Sequence, residues 1–293
     1  MELSGTGVWG SALGKADPGE VADVAAELEE LGYTSLWVPS WAPGSLDAIE
    51  RLLVATNRVV VATGILTVWA YTAEETAAEH ARLVAAHGER FLLGLGVSHG
   101  PVIERFASPG TVYDKPLRTM AAYLDGLDSA EVPVQIEHRV LAALGPKMLK
   151  LAATRAGGAH PYNVTPEHTA QARQALGPGK RLVPEQAVAL TTDADEARRW
   201  GRTFLETYLA LPNYTNNFRR LGFSEDDVAH GGSDRLVDAL VAWGEPAVIA
   251  ARVQAHRDAG ADSVCIQVLQ EGPMGGVGTL PVEAYRELAE ALC

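Results

Sequence analysis

Eight short apolar runs, each followed by a stretch with helical spacing, constrain this chain more than any other feature of its sequence. The runs are GTGVWG (5–10), SLWVP (35–39), VVVATGILTV (59–68), FLLGLGV (91–97), VLAAL (140–144), GAH (158–160), LVPEQAVAL (182–190) and SVCIQVL (263–269). Most are apolar at consecutive rather than alternate positions, the pattern of parallel strands covered on both faces. Between them lie helix signals. Pro18 opens a run with Val21, Val24, Ala25, Leu28 and Leu31, stopped by Gly32. Asp47 is placed to cap a helix carrying Ile49, Leu52, Leu53 and Ala55, and Thr72 one that runs to His87 with Glu74 and Glu75 in its first turn. Further helices are expected from Pro116 to about Gly126, over 147–156, 166–176, 246–259 and 281–292, with an irregular run over 102–115.

Eight strands alternating with helices close a barrel. A doubly wound sheet alternates too, but no G-x-G-x-x-G opens a helix after the first run. The expected fold is therefore a (β/α)8 TIM barrel, one α/β domain over residues 1–293. It carries a helical insertion at about 193–243, ahead of the eighth strand. The length of 293 residues suits such a barrel as a single unit.

Composition narrows the partners. A net charge of −13 argues against nucleic acid or an anionic membrane surface. No apolar stretch approaches the roughly 20 residues of a membrane-spanning helix, and MELSGTGVWG lacks a basic segment followed by an apolar one. A cytoplasmic protein acting on a small-molecule substrate, as a homodimer, is expected. Cys265 and Cys293 form no disulfide framework, and no His, Cys or carboxylate spacing points to a metal.

A barrel of this kind carries its site at the C-terminal strand ends, where Trp9, Ser40, Trp41, Thr67, Trp69, Ser98, His99, Gly145 and His160 fall. Gly94 and Gly96 in RFLLGLGVSHGP admit close approach of either a neighbouring strand or a ligand. In ALGPKM (143–148) a strand runs straight into a helix N-terminus, whose free amides and dipole favour an anion. Gly145 leaves room for a phosphate there and Lys147 adds a charge; alternatively Gly-Pro is only a turn into a helix. Trp9, Trp41 and Trp69 either rim a mouth for a flat ligand or pack the barrel top. His99 and His160 are the titratable groups near strand ends, suited to proton transfer or to loop hydrogen bonds. Glu185, in a barrel interior, must pair or titrate high. The polar stretch 211–238 reads as a lid or interface arm, with Asn213, Tyr214, Asn216, Asn217 and Arg219 within reach of a substrate or simply on its surface.

Taken together, TGILTVWA, RFLLGLGVSHGP, VLAALGPKMLKLAA, GGAHPY, PEQAV, LPNYTNNFRRLGF and DRLVDALVAWGEPAVIAARV resemble the luciferase-like oxidoreductases, and within them the coenzyme F420-dependent branch. The resemblance spans nearly the whole chain. It implies a bound deazaflavin and hydride transfer at its ring, with FMN and monooxygenase chemistry as the alternative, and a non-catalytic flavin-binding protein as a third reading. It implies a cis peptide at Gly64-Ile65 behind the ring, with Leu66 and Thr67 on the same strand. Gly96, Val97, Ser98 and His99 would lie beside the ring, together with Trp9, His160 and Tyr162. Ala143, Leu144, Gly145, Pro146, Lys147 and Met148 would grip the phosphate. His99 is the first expectation for proton transfer, His160 and Ser98 the next. In a sugar-phosphate dehydrogenase of this superfamily a glutamate stands near the position of His99, and Asp-His stands where this chain has Pro39-Ser40. These departures point away from a sugar-phosphate substrate.

Overall fold

A computed structural model describes residues 3–106 and 113–293. Its elements, in order, are β1 (Thr6–Trp9), α1 (Pro18–Glu30), β2 (Ser35–Ser40), α2 (Leu46–Ala55), β3 (Val60–Thr67), α3 (Ala73–His87), β4 (Phe91–Gly96) and α4 (Gly100–Phe106). There follow α5 (Pro116–Ser129), β5 (Arg139–Leu141), α6 (Pro146–Arg155), β6 (Gly158–Ala159), α7 (Pro166–Leu176), β7 (Arg181–Leu182) and β8 (Glu185–Ala189). The insertion holds α8 (Ala194–Leu209), α9 (Pro212–Arg220), α10 (Glu225–Val228), α11 (Asp234–Leu240) and β9 (Val241–Trp243). The chain ends with α12 (Pro246–Asp258), β10 (Val264–Leu269) and α13 (Val282–Leu292).

The helices start where local chemistry dictates. Asp17 accepts from the amides of Gly19 and Glu20, with Pro18 in the first helical position. Thr72 and Glu75 exchange side-chain and backbone bonds in a capping box. Thr165 accepts from the amide of His168 at the start of α7, and Asp193 from those of Asp195 and Glu196 at the start of α8.

The ten strands among the described residues are all parallel, in the order β7-β6-β5-β4-β3-β2-β1-β10-β8-β9. The seventh sequence run is split at Val183-Pro184 into β7 and β8, and this one extended segment closes the barrel. On one edge the amides of Val183 and Glu185 donate to Ala159 O and Pro161 O. On the other, Leu182 O and Pro184 O accept from the amides of Asp262 and Cys265. The α/β barrel is thus an eightfold one, as the sequence implies. The expected helical character of 193–243 is corrected at its end: Val241–Trp243 is a strand, paired in register with Ala187–Ala189. The expected irregular run over 102–115 is corrected too. Its first residues belong to α4, and 107–112 lie outside the described residues.

Side-chain alternation divides the core. Val8, Leu36, Val38, Leu93, Leu95, Leu141, Val264 and Ile266 face outward under the helices. Trp9, Trp37, Ala62, Leu92, Val140, Val183 and Cys265 fill the barrel interior. A further cluster, including Phe204, Leu205, Tyr214, Phe218, Val237 and Leu269, packs the insertion onto β8 and β10. Burial at about 25 cal/mol per Å² of apolar surface makes this contact an integral part of the fold.

The β3–β4 pair is irregular: its register slips between Ala62 and Leu66, where the Gly64-Ile65 peptide is cis. Gly94 and Gly96 answer to that slip. A Cβ on Gly94 would lie 2.0 Å from Thr63 O, and one on Gly96 2.5 Å from Ile65 Cδ1. Of the two roles open to these glycines, approach of the neighbouring strand accounts for both.

Candidate active site

At the C-terminal mouth of the barrel lies a cavity of about 240 Å³. Its floor and sides are Trp9 at the end of β1, Gly64 and Ile65 of β3, Gly96–His99 leaving β4, Ala142–Gly145 leaving β5, and His160 and Tyr162 after β6. Met148 of α6 and Tyr208, Asn213 and Tyr214 of the insertion complete the enclosure, with Trp41, Tyr113 and Pro116 toward solvent. No carboxylate, lysine or arginine is among these lining residues. The chamber is uncharged and mostly aromatic or small, a surface for a planar apolar body with a few polar edges.

The back wall is tightly made. Trp9 Nε1 donates to Gly64 O at 2.8 Å, and a Cβ on Gly64 would sit 2.6 Å from that nitrogen. Only glycine lets the indole close over this peptide. Trp37, fully buried beneath, stacks on the His160 ring with centroids 4.2 Å apart and planes at 19°.

The two histidines are held neutral by burial, which pushes each down to about 4. His160 has a defined tautomer: Nδ1 lies 2.7 Å from Val183 O, an acceptor only, so Nδ1 carries the proton. Its Nε2 is left as a buried lone pair with no partner among the described residues. His99 faces the Asn213 side chain across the cavity wall, and its ring lies 5.5 Å from that of Tyr214. Ser98 has a left-handed backbone, φ 59°. Its Oγ is buried without a partner among the described residues, while its carbonyl accepts from Tyr113 OH at 3.0 Å. A line of hydroxyls runs inward: Tyr208 OH donates to Tyr162 OH at 3.1 Å, which donates to Gln267 Oε1 at 2.6 Å. Beyond the lining residues Glu185, fully buried, accepts from Asn163 N at 3.0 Å, and burial raises its carboxyl to about 8.

At the far end α6 begins at the cavity edge, with Gly145 as its N-cap. His168 Nε2 donates to Leu144 O at 2.9 Å and fixes the approach to that helix.

Of the residues expected from sequence, the cavity brings together Trp9, Trp41, Gly64, Ile65, Gly96, Val97, Ser98, His99, Ala143, Leu144, Gly145, Met148, His160 and Tyr162. Leu66 and Thr67 are buried in the strand and do not line it, and Pro146 and Lys147 are exposed on α6. Trp69 stands behind the wall, donating to Val97 O at 2.9 Å. Ser40 is buried outside the lining. From the insertion, Asn213 and Tyr214 reach the cavity, whereas Arg219 is chelated by Glu225 and hydrogen-bonded to Asn216. Sequence reasoning missed Tyr113, Pro116, Ala142 and Tyr208. Only Tyr208 carried a signal, lying in the helical insertion one turn ahead of Pro212 and of the stretch 211–238 that reads as a lid.

A mostly aromatic chamber, with no charged side chain among its lining residues, lies at the strand ends of a parallel barrel. Residues 3–130 match the family model described as luciferase-like monooxygenase. No curated protein sequence matches the chain. Solved structures carry the fold to its end. An F420-dependent secondary alcohol dehydrogenase, in complex with an F420-acetone adduct, aligns with a TM-score of 0.73 at 13% identity, over 100% of this chain and 98% of that one. The coenzyme F420-dependent tetrahydromethanopterin reductase from Methanopyrus kandleri gives 0.70 at 14%, over 100% and 99%. The oxygenating constituent of 3,6-diketocamphane monooxygenase from Pseudomonas putida, in complex with FMN, gives 0.67 at 12%, over 100% and 97%.

Proposed function

We propose that this chain is an oxidoreductase that moves a hydride between coenzyme F420 and a small, uncharged organic substrate. The observation that carries the proposal is the uncharged cavity itself. A wall of Trp9, Gly64, Ile65 and Gly96 lies on one side, a neutral imidazole at one end and the first turn of α6 at the other. Ser98 Oγ and His160 Nε2, buried and without a partner among the described residues, are polar atoms that the edge of a heterocycle would satisfy. When bound, the deazaflavin supplies or accepts the hydride at its ring. The chain's own tasks are then few. Trp9 and Gly64 form the plane against which a ring is positioned, and the aromatic rim excludes water. His99, neutral and facing Asn213, holds or takes the proton at the substrate oxygen. The first turn of α6 presents its free amides to a phosphate. The motif resemblance to the F420-dependent branch and the fold shared with two F420-dependent enzymes support the choice of cofactor.

A second reading, an FMN-dependent monooxygenase, is favoured by the description of the matched family model and by the FMN-bound neighbour. Titration of the purified protein with F420 and with FMN, followed by absorbance and fluorescence, separates the two. Saturable F420 binding with reduction or oxidation of the bound cofactor by a carbonyl or alcohol panel is the expected result. Tight FMN binding with none of the deazaflavin overturns the cofactor, and binding without hydride exchange to any acceptor overturns the enzyme.

A further inference from the structure

The carboxyl of Glu185 stands inside the barrel, below the chamber and outside its lining. Glu185 is fully buried at the start of β8 and pairs in register with Cys265, a residue of the barrel interior. Gln267 follows Cys265 on the same face of β10, one two-residue step of about 7 Å toward the strand ends. There it accepts from the OH of Tyr162, a residue of the chamber lining, at 2.6 Å. From the other side Asn163 N, next in the chain to Tyr162, donates to Glu185 Oε2 at 3.0 Å. Glu185 therefore sits one layer of side chains beneath the chamber.

Nothing that faces this carboxyl offers it a positive charge. Cys265 of β10, Tyr162 after β6, Tyr208 of α8 and Tyr214 of α9 all lie within reach of its field, which pushes each of them up. All four are neutral acids whose own ionisation burial already opposes. His160, anchored on Val183 O, is neutral as well. Among the described residues Glu185 makes no ion pair, and its Oε1 has no hydrogen-bond partner. Burial accordingly lifts the carboxyl to about 8, so at neutral pH it is uncharged. Tyr162, Tyr208 and Tyr214 line the chamber, so a charge on Glu185 is felt there, and no lysine or arginine in the lining counters it.

We propose that Glu185 sets the charge state of the chamber from below: protonated, it admits an electron-rich ring, and ionised, it repels one. The proposal rests on the oxidoreductase reading for its use, but not for the electrostatic effect itself. A flavin-type ring that accepts a hydride without a proton gains one negative charge, and the chamber lining holds no cation to meet it. A neutral Glu185 spares that ring a second negative charge nearby. For two charges about 10 Å apart at an effective dielectric of about 20, the repulsion corresponds to roughly a 10- to 20-fold loss of affinity. Glu185 acts through its field, without touching the ligand.

The test uses two planar probes of fixed charge, neutral naphthamide and anionic naphthoate, titrated from about pH 6.5 to about pH 9.5 against wild type and Glu185→Gln. Binding is read from quenching of tryptophan fluorescence, since Trp9 and Trp41 line the chamber. As pH rises through about 8, wild type is expected to lose roughly 10-fold in affinity for naphthoate relative to naphthamide. In Glu185→Gln the ratio stays flat. A merely structural role would move both probes together and leave their ratio without a pH dependence. Glu185→Met, of similar length and without a titrating group, replaces the amide variant if that one does not fold. A flat ratio in wild type, or the same fall in wild type and variant, overturns the proposal. The ratio of affinities for reduced and oxidised cofactor, taken with F420 and with FMN, is expected to follow the same course, the variant cancelling the cofactor's own titration. If wild type binds neither cofactor, the oxidoreductase reading fails and the naphthoate arm still decides the role of Glu185. A chamber that takes up neither probe nor cofactor overturns both.

Discussion

Thr63 Oγ1 donates to the carbonyl of Gly94 at 2.7 Å and accepts from the amide of the same residue at 2.8 Å. One hydroxyl thereby replaces two ladder bonds at the point where β3 and β4 fall out of register. Both partners are buried and cannot turn to water. The slip places Gly64 under Trp9 and Ile65 against Gly96, so this small repair holds the wall of the cavity in place.

Thr63→Val keeps the shape and removes both bonds. Two stranded backbone groups are expected to cost about 2–5 kcal/mol of stability. Thr63→Ser, which retains the hydroxyl, is expected to cost less than about 1.5 kcal/mol for its lost methyl. Urea denaturation of the two variants checks this. Equal losses for Val and Ser would assign the effect to the methyl group.

His99→Ala is expected to lower kcat by about 100-fold or more, in the range of general acid–base catalysis, with cofactor affinity changed less than about 3-fold. Burial holds His99 down to about 4, so at higher pH its imidazole is neutral and the rate shows no inflection from it near 6.5, where a free histidine titrates. Measured kcat and cofactor Kd for the variant decide the matter. Parallel loss of both would make His99 a binding residue.

The pH dependence of stability has two limbs of opposite sign. Burial pushes His80, His99 and His160 down from 6.5 to about 4 and His256 to about 3, and lowers His168 as well. Between those values the unfolded chain binds more protons, so stability rises with pH up to about 6.5. Glu185 behaves oppositely. Burial lifts it from 4.5 to about 8, the folded state holds the extra proton, and stability falls as pH climbs through that window. Each group contributes about 1.4 kcal/mol per pH unit, so the histidines dominate below 6.5 and Glu185 alone acts above it. Thermal melts are expected to peak near pH 6.5 and decline toward pH 8. Glu185→Gln should abolish the decline and leave the acid limb; a decline that survives it belongs to another group.

Much of the barrel was legible because its strands are continuous apolar runs and its helices begin at Asp17, Thr72, Pro146 and Pro166, signals that act within a turn of chain. The strand ends and the polar residues on them followed from the topology. What escaped is non-local. Val241–Trp243 continues a helical pattern in VDALVAW and becomes a strand only because Ala187–Ala189 offers a free edge. The role of Gly94 was undecidable without knowing that Thr63 O lies opposite. Arg219 and Arg220 are chemically alike, and only Glu225, folded back from α10, tells the ion-paired one from the other.

That ninth strand also bears on traffic through the site. The insertion leaves the sheet at Ala189 and returns to the same strand's edge through Val241–Trp243, so it is anchored at both ends. A flap swings about a single attachment; a segment sewn down twice behaves as a wall. Across the chamber from it stands Trp41, just past the end of β2, which lines the cavity and is 43% exposed. Replacing that side chain by a smaller one is expected to speed the filling of the chamber, read as the ligand association rate by stopped-flow fluorescence; an unchanged rate would place the entrance elsewhere.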